Sequence, residues 1–391
     1  MDSSKKIIPL VAKTSFGLEE ILVQELKSIG AINPKAANRA VYFEGDQEIM
    51  YKANLYSRLA LRILKPIASF PAANEQQLYD GVKTIKWDQY LTADDSIAVD
   101  GVTVKSKLTH SLYIALKTKD AIVDQFRDKF GKRPNVDLDF PTVRINVHLS
   151  SDVANISIDS SGESLHKRGY RQESVEAPLN ETLAAGMIAL SGWDKNTPLT
   201  DFMCGSGTIV VEAALLARNI APGKFKKEFG FERWPDFDAN LWKKIMDEAK
   251  AAELSSLPFQ ITGIDRSQQA IRNSKQNASS AGVANDIDFH AMPFEDYTPP
   301  EGKKMVVVNP PYGGRITDDD LFSLYEAIGD NLKKKFKNTT AWILTANRDA
   351  AKHIGLHPSR KLQLFNGALE CRFLKYEIYE GSKKAVTKLT E

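Results

Sequence analysis

The second half of the chain repeats a rhythm of short apolar runs and helical segments, and no other feature restricts the fold as much. Runs at 199–203, 259–264, 287–290, 305–308 and 339–344 have the length and apolar content of buried strands. Segments at 207–218, 268–281 and 319–336 lie among them and carry helical periodicity. Strands separated by helices predict a mainly parallel sheet covered on both faces, because a parallel connection must cross the sheet and a helix makes that crossing compactly. The end breaks the rhythm, since runs at 362–365 and 370–379 enclose Asn366 and Gly367 with no helix between them. A terminal antiparallel hairpin on an otherwise parallel sheet is expected there. The class is therefore α/β.

The first half reads differently. Strands are expected at 7–12, 40–43, 66–70 and 96–104, and helices at 17–29, 46–63, 75–87 and 110–130. Runs at 143–149 and 153–158 flank Ser150, Ser151 and Asp152 as a hairpin, which completes an α+β region. A polar stretch at 161–176 then reads as a linker, basic at His166, Lys167, Arg168 and Arg171. Pro178 suits the first turn of the helix that follows. A chain of 391 residues exceeds what one hydrophobic core usually serves, so more than one domain is expected.

Composition excludes several classes of protein. Apolar residues make up 42% of the chain without any run of about 20, so no membrane helix is expected. The first residues lack an apolar stretch of signal-peptide length, and a cytoplasmic location follows as an expectation. Cys204 and Cys371 stand alone and far apart, which supports neither a disulfide framework nor a zinc site; both are read as reduced thiols. His353 and His357 are four apart, but Gly355 and Pro358 argue against a regular helix presenting them together, so no metal is expected. The net charge of +2 is nearly neutral. Its distribution is not, because residues 105–133 hold eight basic side chains, Lys105 and Lys107 among them, against three acidic ones. Such an excess suits either a phosphate-tracking face or the solvated side of a helix.

Two motifs carry chemistry. The first is the run from Leu199 to Leu215, in which a strand passes through a glycine loop into a helix. Gly205 and Gly207 let a ligand approach the backbone, and the helix start supplies outward N–H groups. Asp201 and, at the end of the next strand, Asp265 can accept hydrogen bonds from amino or hydroxyl groups of a cofactor. The loop is G-S-G and the second carboxylate lies about sixty residues on, so a dinucleotide fits poorly. The second motif is Asn309, Pro310, Pro311 and Tyr312, just past a strand's C-terminal end, the rim where open α/β sheets bind ligands. The Asn309 amide oxygen and a proline carbonyl can accept both hydrogens of an exocyclic NH2, and Tyr312 can stack on the base that carries it. Holding a delocalised amine pyramidal and in line with a methyl donor lowers the barrier by orientation and electrostatics.

These residues resemble a known family, the class I S-adenosylmethionine-dependent methyltransferases with a D-x-x-x-G-S-G-T loop and an N-P-P-Y tetrapeptide. The likeness is closer to bacterial THUMP-domain RNA methyltransferases, specifically the guanine-N2-modifying half of the 23S ribosomal RNA enzyme of the RlmL type. It rests on SLHKRGYRQE at 164–173, APLNETLAAG at 177–186, DFMCGSGT at 201–208, FERW at 231–234 and NPPYGGR at 309–315, with SFGLEEILVQEL at 15–26 similar to the family's leading domain. The resemblance implies a small ferredoxin-like part at 1–43, a THUMP RNA-binding domain at 44–160 and a Rossmann-like methyltransferase domain at 177–391. It also implies S-adenosylmethionine as cofactor, S-adenosylhomocysteine as product and structured RNA as partner. Asp201, Cys204, Gly205, Gly207 and Thr208 would line the cofactor loop, Asp265 would hold the ribose, and Asn180 and Glu181 would approach the methionine end. Asn309 to Tyr312 would hold the target amine, while Lys105, Lys107, Lys167, Arg168 and Arg171 would meet RNA.

The chain departs from the family pattern at three places. Phe202 stands where proline is frequent, Gly314 where glutamate is, and HAMPFED at 290–296 lacks an acidic residue at the usual adenine contact, leaving that role to backbone groups or Phe294. One catalytic domain is expected instead of the two of the fused enzymes. Two other readings stand beside guanine N2: adenine N6 of RNA or DNA, since N-P-P-Y serves both amines, and a non-catalytic RNA-binding assembly factor.

Overall fold

The computed structural model describes residues 6–171, 179–312 and 317–379. The last five residues of the linker at 172–176, Pro178, and the GGR of the second motif with its Gly314 departure lie outside the described residues.

In chain order the first elements are β1 (Ile8–Thr14), α1 (Glu19–Ser28), β2 (Ile32–Ala37), β3 (Ala40–Gly45), α2 (Gln47–Tyr56), β4 (Ala60–Pro71), α3 (Glu75–Lys83), β5 (Ser96–Val104), α4 (Ser111–Phe130), β6 (Asn135–Val136), β7 (Val143–Ser150) and β8 (Val153–Asp159). There follow α5 (Glu181–Ser191), β9 (Leu199–Asp201), α6 (Thr208–Ala217), α7 (Ala239–Ala251), β10 (Ile261–Asp265), α8 (Gln268–Ser280), β11 (Ile287–Ala291) and β12 (Lys304–Val308). The chain then forms α9 (Asp318–Lys335), β13 (Thr339–Thr345), α10 (Arg348–Lys352), β14 (Arg360–Asn366) and β15 (Leu369–Ile378).

Two compact units result, and each draws on separated stretches of chain. One takes Leu22–Lys167 and Lys226–Glu248 together with the first strand; the other takes Ser15–Ile21, Arg168–Phe225 and the chain from Ala249 onward.

The first unit is built on a sheet in the order β2-β3-β1-β4-β8-β7-β5-β6, antiparallel except where β5 runs parallel to β7 and β6. The helix expected at 46–63 stops at Tyr56, and β4 begins at Ala60. The Glu25 carboxylate explains the stop: it accepts the Ser57 hydroxyl and the backbone N–H groups of Arg58 (3.1 Å) and Leu59 (3.4 Å), drawing them out of helical bonding. The FERW run also packs here. Tyr51 of α2 stacks on Phe231 with ring centres 4.2 Å apart, and Trp242 of α7 meets both edge-on at 5.8 and 5.2 Å. Aromatic burial of this size holds 226–248 to α2 although the stretch follows the glycine loop in sequence.

The second unit contains the expected α/β layer. Its sheet runs β11-β10-β9-β12-β13-β15-β14, with the five strands β9 to β13 parallel and β15 antiparallel to both neighbours. Phe202, Val306, Val308, Tyr325, Leu332 and Ile343 form the core between the sheet and α9. From β9 the chain moves outward through β10 to β11, then returns to place β12 on the other side of β9. The connections therefore diverge at β9, and a ligand crevice belongs at the C-terminal ends of β9, β10 and β12.

Candidate active site

The glycine loop leaves β9 at Asp201 and enters α6 at Thr208. Its course is dictated by two left-handed residues, Gly205 (φ 55°) and Gly207 (φ 82°). A Cβ on Gly205 would meet nothing within 4 Å, so that side is open to a ligand; at Gly207 it would come within 3.0 Å of Ser274. The loop is held from several directions. The Asp265 carboxylate at the end of β10 accepts from the Gly205 N–H (3.0 Å), and Cys204 N–H donates to the Ile264 carbonyl (2.9 Å). From α8, the Ser274 hydroxyl donates to the Gly205 carbonyl (2.7 Å) and the Asn277 amide to that of Ser206 (3.1 Å).

Both acidic residues of the sequence reading thus meet at one loop, in different surroundings. Asp201 is buried, and its carboxyl accepts from the Met203 N–H (3.0 Å). Burial pushes its carboxyl up to about 8, and the neighbouring charge of Asp265 adds to the effect. Asp265 is half-exposed, with its second oxygen accepting from Ser267 N–H at 2.8 Å. The Cys204 thiol is buried and raised well above its ordinary value by that burial, so it stays protonated and is no nucleophile.

A cleft of about 830 Å³ opens beside the loop. It is lined by Phe202, Met203, Asp265, Pro293, Phe294 and Pro311, with Thr317, Asp320 and Leu324 on the α9 side. Sequence reading did not assign Met203, Pro293 or the α9 residues. The departure at Phe202 has a packing reason: its ring is buried, stacked on Phe294 at 5.3 Å and against Phe336 at 5.8 Å, where a proline would leave a gap.

The second motif extends from the end of β12 toward this cleft. The Asn309 side-chain oxygen is buried without a hydrogen-bond partner among the described residues. Pro310 is buried, Pro311 exposed and Tyr312 half-buried, its hydroxyl accepting from the Asn366 amide at 2.7 Å. Nothing in the sequence links Asn366 to Tyr312; only the return of the terminal hairpin brings them together.

Asn180 caps α5, its side chain accepting from Thr182 N–H (2.9 Å) and Leu183 N–H (3.2 Å). Glu181 is buried and accepts from Arg171 at 2.8 Å. Two of the basic residues assigned to RNA are corrected. Arg168 is 1% exposed and pairs at 3.5 Å with the buried Glu212 of α6, which also accepts from Tyr170, so it presents no charge to a ligand surface. Arg171 turns inward onto the glycine loop. The described part of the linker is packed instead of solvated, because Leu165, Arg168 and Tyr170 are all buried. Lys105, Lys107 and Lys167 are exposed, the last paired with Glu163 at 2.6 Å.

A parallel sheet that diverges at β9, a glycine loop between two carboxylates and an unpaired amide oxygen at the next strand end define a Rossmann-like methyltransferase domain. The chain belongs to the family described as RMKL-like, methyltransferase domain, whose profile matches residues 168–375; a THUMP domain matches 72–159 and an RlmL ferredoxin-like domain 9–64. A candidate RNA methyltransferase of Synechocystis is 41% identical over 95% of this chain and 97% of its own length. The ribosomal RNA large subunit methyltransferase K/L of Syntrophotalea carbinolica is 41% identical over 97% of this chain, which spans 54% of that protein. Among solved structures, a candidate methyltransferase, SMU.472, in complex with S-adenosylhomocysteine superimposes with a TM-score of 0.86 at 32% identity, covering 97% of this chain and all of that one. Among the described residues no helix is long and apolar enough to cross a membrane.

Proposed function

We propose that the chain is an S-adenosylmethionine-dependent RNA methyltransferase acting on an exocyclic base amine, guanine N2 of 23S ribosomal RNA. The observation that carries this reading is the buried, unpartnered Asn309 oxygen at the end of β12, beside the cleft that Asp265 and Pro311 line. A buried acceptor without a donor is costly unless a ligand completes it, and an NH2 hydrogen does so. The family membership, the THUMP match and the S-adenosylhomocysteine bound by a 32% identical relative support the same reading.

The residues fit such a cofactor. The open side of Gly205 admits its backbone approach, and the carboxylates of Asp201 and Asp265 match hydroxyl and amino donors. When bound, the cofactor supplies a methyl group already activated on a sulfonium, so the protein need only position and polarise. Asn309 and the Pro310 carbonyl orient the amine, Tyr312 supports the extruded base, and the apolar walls at Phe202, Met203 and Phe294 exclude water. For RNA grip we propose exposed Lys105, Lys107 and Lys167, with the cleft of about 430 Å³ in the first unit where Lys117, Arg127 and Arg133 gather near Tyr79.

Asn309→Ala is expected to lower methyl transfer to ribosomal RNA by about 100-fold or more, as loss of a transition-state hydrogen bond does. Its affinity for S-adenosylhomocysteine stays within a few-fold of the parent in calorimetry. Near-parental turnover in this variant would remove Asn309 from the role. Mass spectrometry of the product nucleosides decides the base: N2-methylguanosine is expected, and N6-methyladenosine would transfer the reading to the adenine amine.

A further inference from the structure

We propose that Arg171 is a positioning residue for cofactor binding, locking the glycine loop to the start of α5, and that it makes no RNA contact. Its guanidinium bridges two segments that are apart in sequence, the start of α5 and the glycine loop. Nε donates to Glu181 Oε1 at 2.8 Å, one terminal nitrogen to the Ser206 hydroxyl at 3.2 Å, and the other to the Leu179 carbonyl at 3.0 Å and the Thr208 hydroxyl at 2.9 Å. Glu181, Ser206 and Thr208 are all buried, so their polar atoms depend on protein partners.

The consequence follows from the loop's own weakness. Ser206 stands between two glycines, and glycine reaches many backbone conformations at similar energy. On its carbonyl side the loop is tied to α8 through Ser274 and Asn277; on its hydroxyl side it is tied to α5 through Arg171. A planar cation with five donors can bridge four acceptors in fixed directions, which an ammonium cannot. With Asn180 committed to capping α5, Arg171 is the group that ties Glu181 to the loop. The inference rests on the cofactor reading above, and loss of the fork loosens the backbone surface that cofactor must meet.

The test uses the full chain, with calorimetric titration of S-adenosylhomocysteine, filter binding of ribosomal RNA and thermal melting. For Arg171→Met the expected result is a fall in S-adenosylhomocysteine affinity of about tenfold or more, in line with loss of a charged hydrogen-bond set. KM for S-adenosylmethionine rises with it, while RNA affinity and kcat at saturating donor stay within about threefold. Arg171→Lys keeps the charge without the fork and should group with the Met variant, a pattern that charge alone does not produce. Ser206→Ala removes one acceptor and leaves the cation; its smaller loss should not add to that of Arg171→Lys, and this cycle carries the test should the Met variant fail to fold. Parental S-adenosylhomocysteine affinity in folded Arg171 variants overturns the proposal, as does RNA affinity falling further than cofactor affinity. If the parent chain itself binds no S-adenosylhomocysteine, the cofactor reading fails instead, so the two failures are separable.

Discussion

Behind the end of β9, the Asp201 carboxyl has lost its water and is held up to about 8, mainly by burial and further by Asp265. An unfolded aspartate titrates near pH 4, so from about pH 4 to 8 the unfolded chain releases a proton that the folded chain keeps. Folded-state stability therefore declines as pH rises through that window. Asp201→Asn removes the dependence: its melting temperature, measured relative to the parent, should climb between pH 5 and 8. Cofactor donors favour the ionised carboxylate, and S-adenosylhomocysteine binding should tighten over the same range with proton release, visible as a binding enthalpy that varies with buffer ionisation. A second residue-scale prediction concerns Arg168 and Glu212, both buried. Arg168→Met leaves Glu212 uncompensated and should cost about 3–5 kcal/mol in denaturant unfolding, whereas a surface phosphate contact would cost little stability and reduce RNA affinity.

At the scale of elements, the terminal hairpin acts on the candidate site as well as on the sheet edge. Asn366 closes β14 and donates to Tyr312, and Phe365 beside it meets Phe16 edge-on at 5.6 Å. Gly17 follows that phenylalanine at φ 88°, where a side chain would fall 2.7 Å from the Gln363 carbonyl, so the Ser15–Ile21 stretch lies flush against the hairpin. Asn366→Ala should leave the fold and S-adenosylhomocysteine affinity intact while raising KM for RNA several-fold, because Tyr312 loses the amide that donates to its hydroxyl. An unchanged KM for RNA would show that the Asn366 contact does not orient the tyrosine.

For the whole molecule, the interleaving of the two units governs how the chain can be divided. Phe229, Phe231, Trp234 and Trp242 belong to the first unit although the sequence places them after the glycine loop. A fragment starting at residue 177 keeps these aromatics but lacks Tyr51, and one ending at 171 lacks the aromatics that cover Tyr51. We expect both fragments to bind a hydrophobic dye and to melt without the cooperativity of the full chain. Two sharp, independent transitions from separately produced fragments would show that the exchange is dispensable.

The strand and helix rhythm, the hairpin turn at Asn366 and Gly367, and the two motifs at Asp201 and Asn309 were legible in the sequence, because periodicity, glycine spacing and strand ends are local properties of a chain. The end of α2 at Tyr56, the inward turn of Arg168 and Arg171, the partnership of Tyr312 with Asn366 and the transfer of 226–248 to the other unit were not. Each depends on a carboxylate, hydroxyl, amide or ring supplied from a distant segment. Charge in a sequence does not say whether a cation faces water or a buried acid; only the packed chain, by supplying Glu212 and Glu181, decides it.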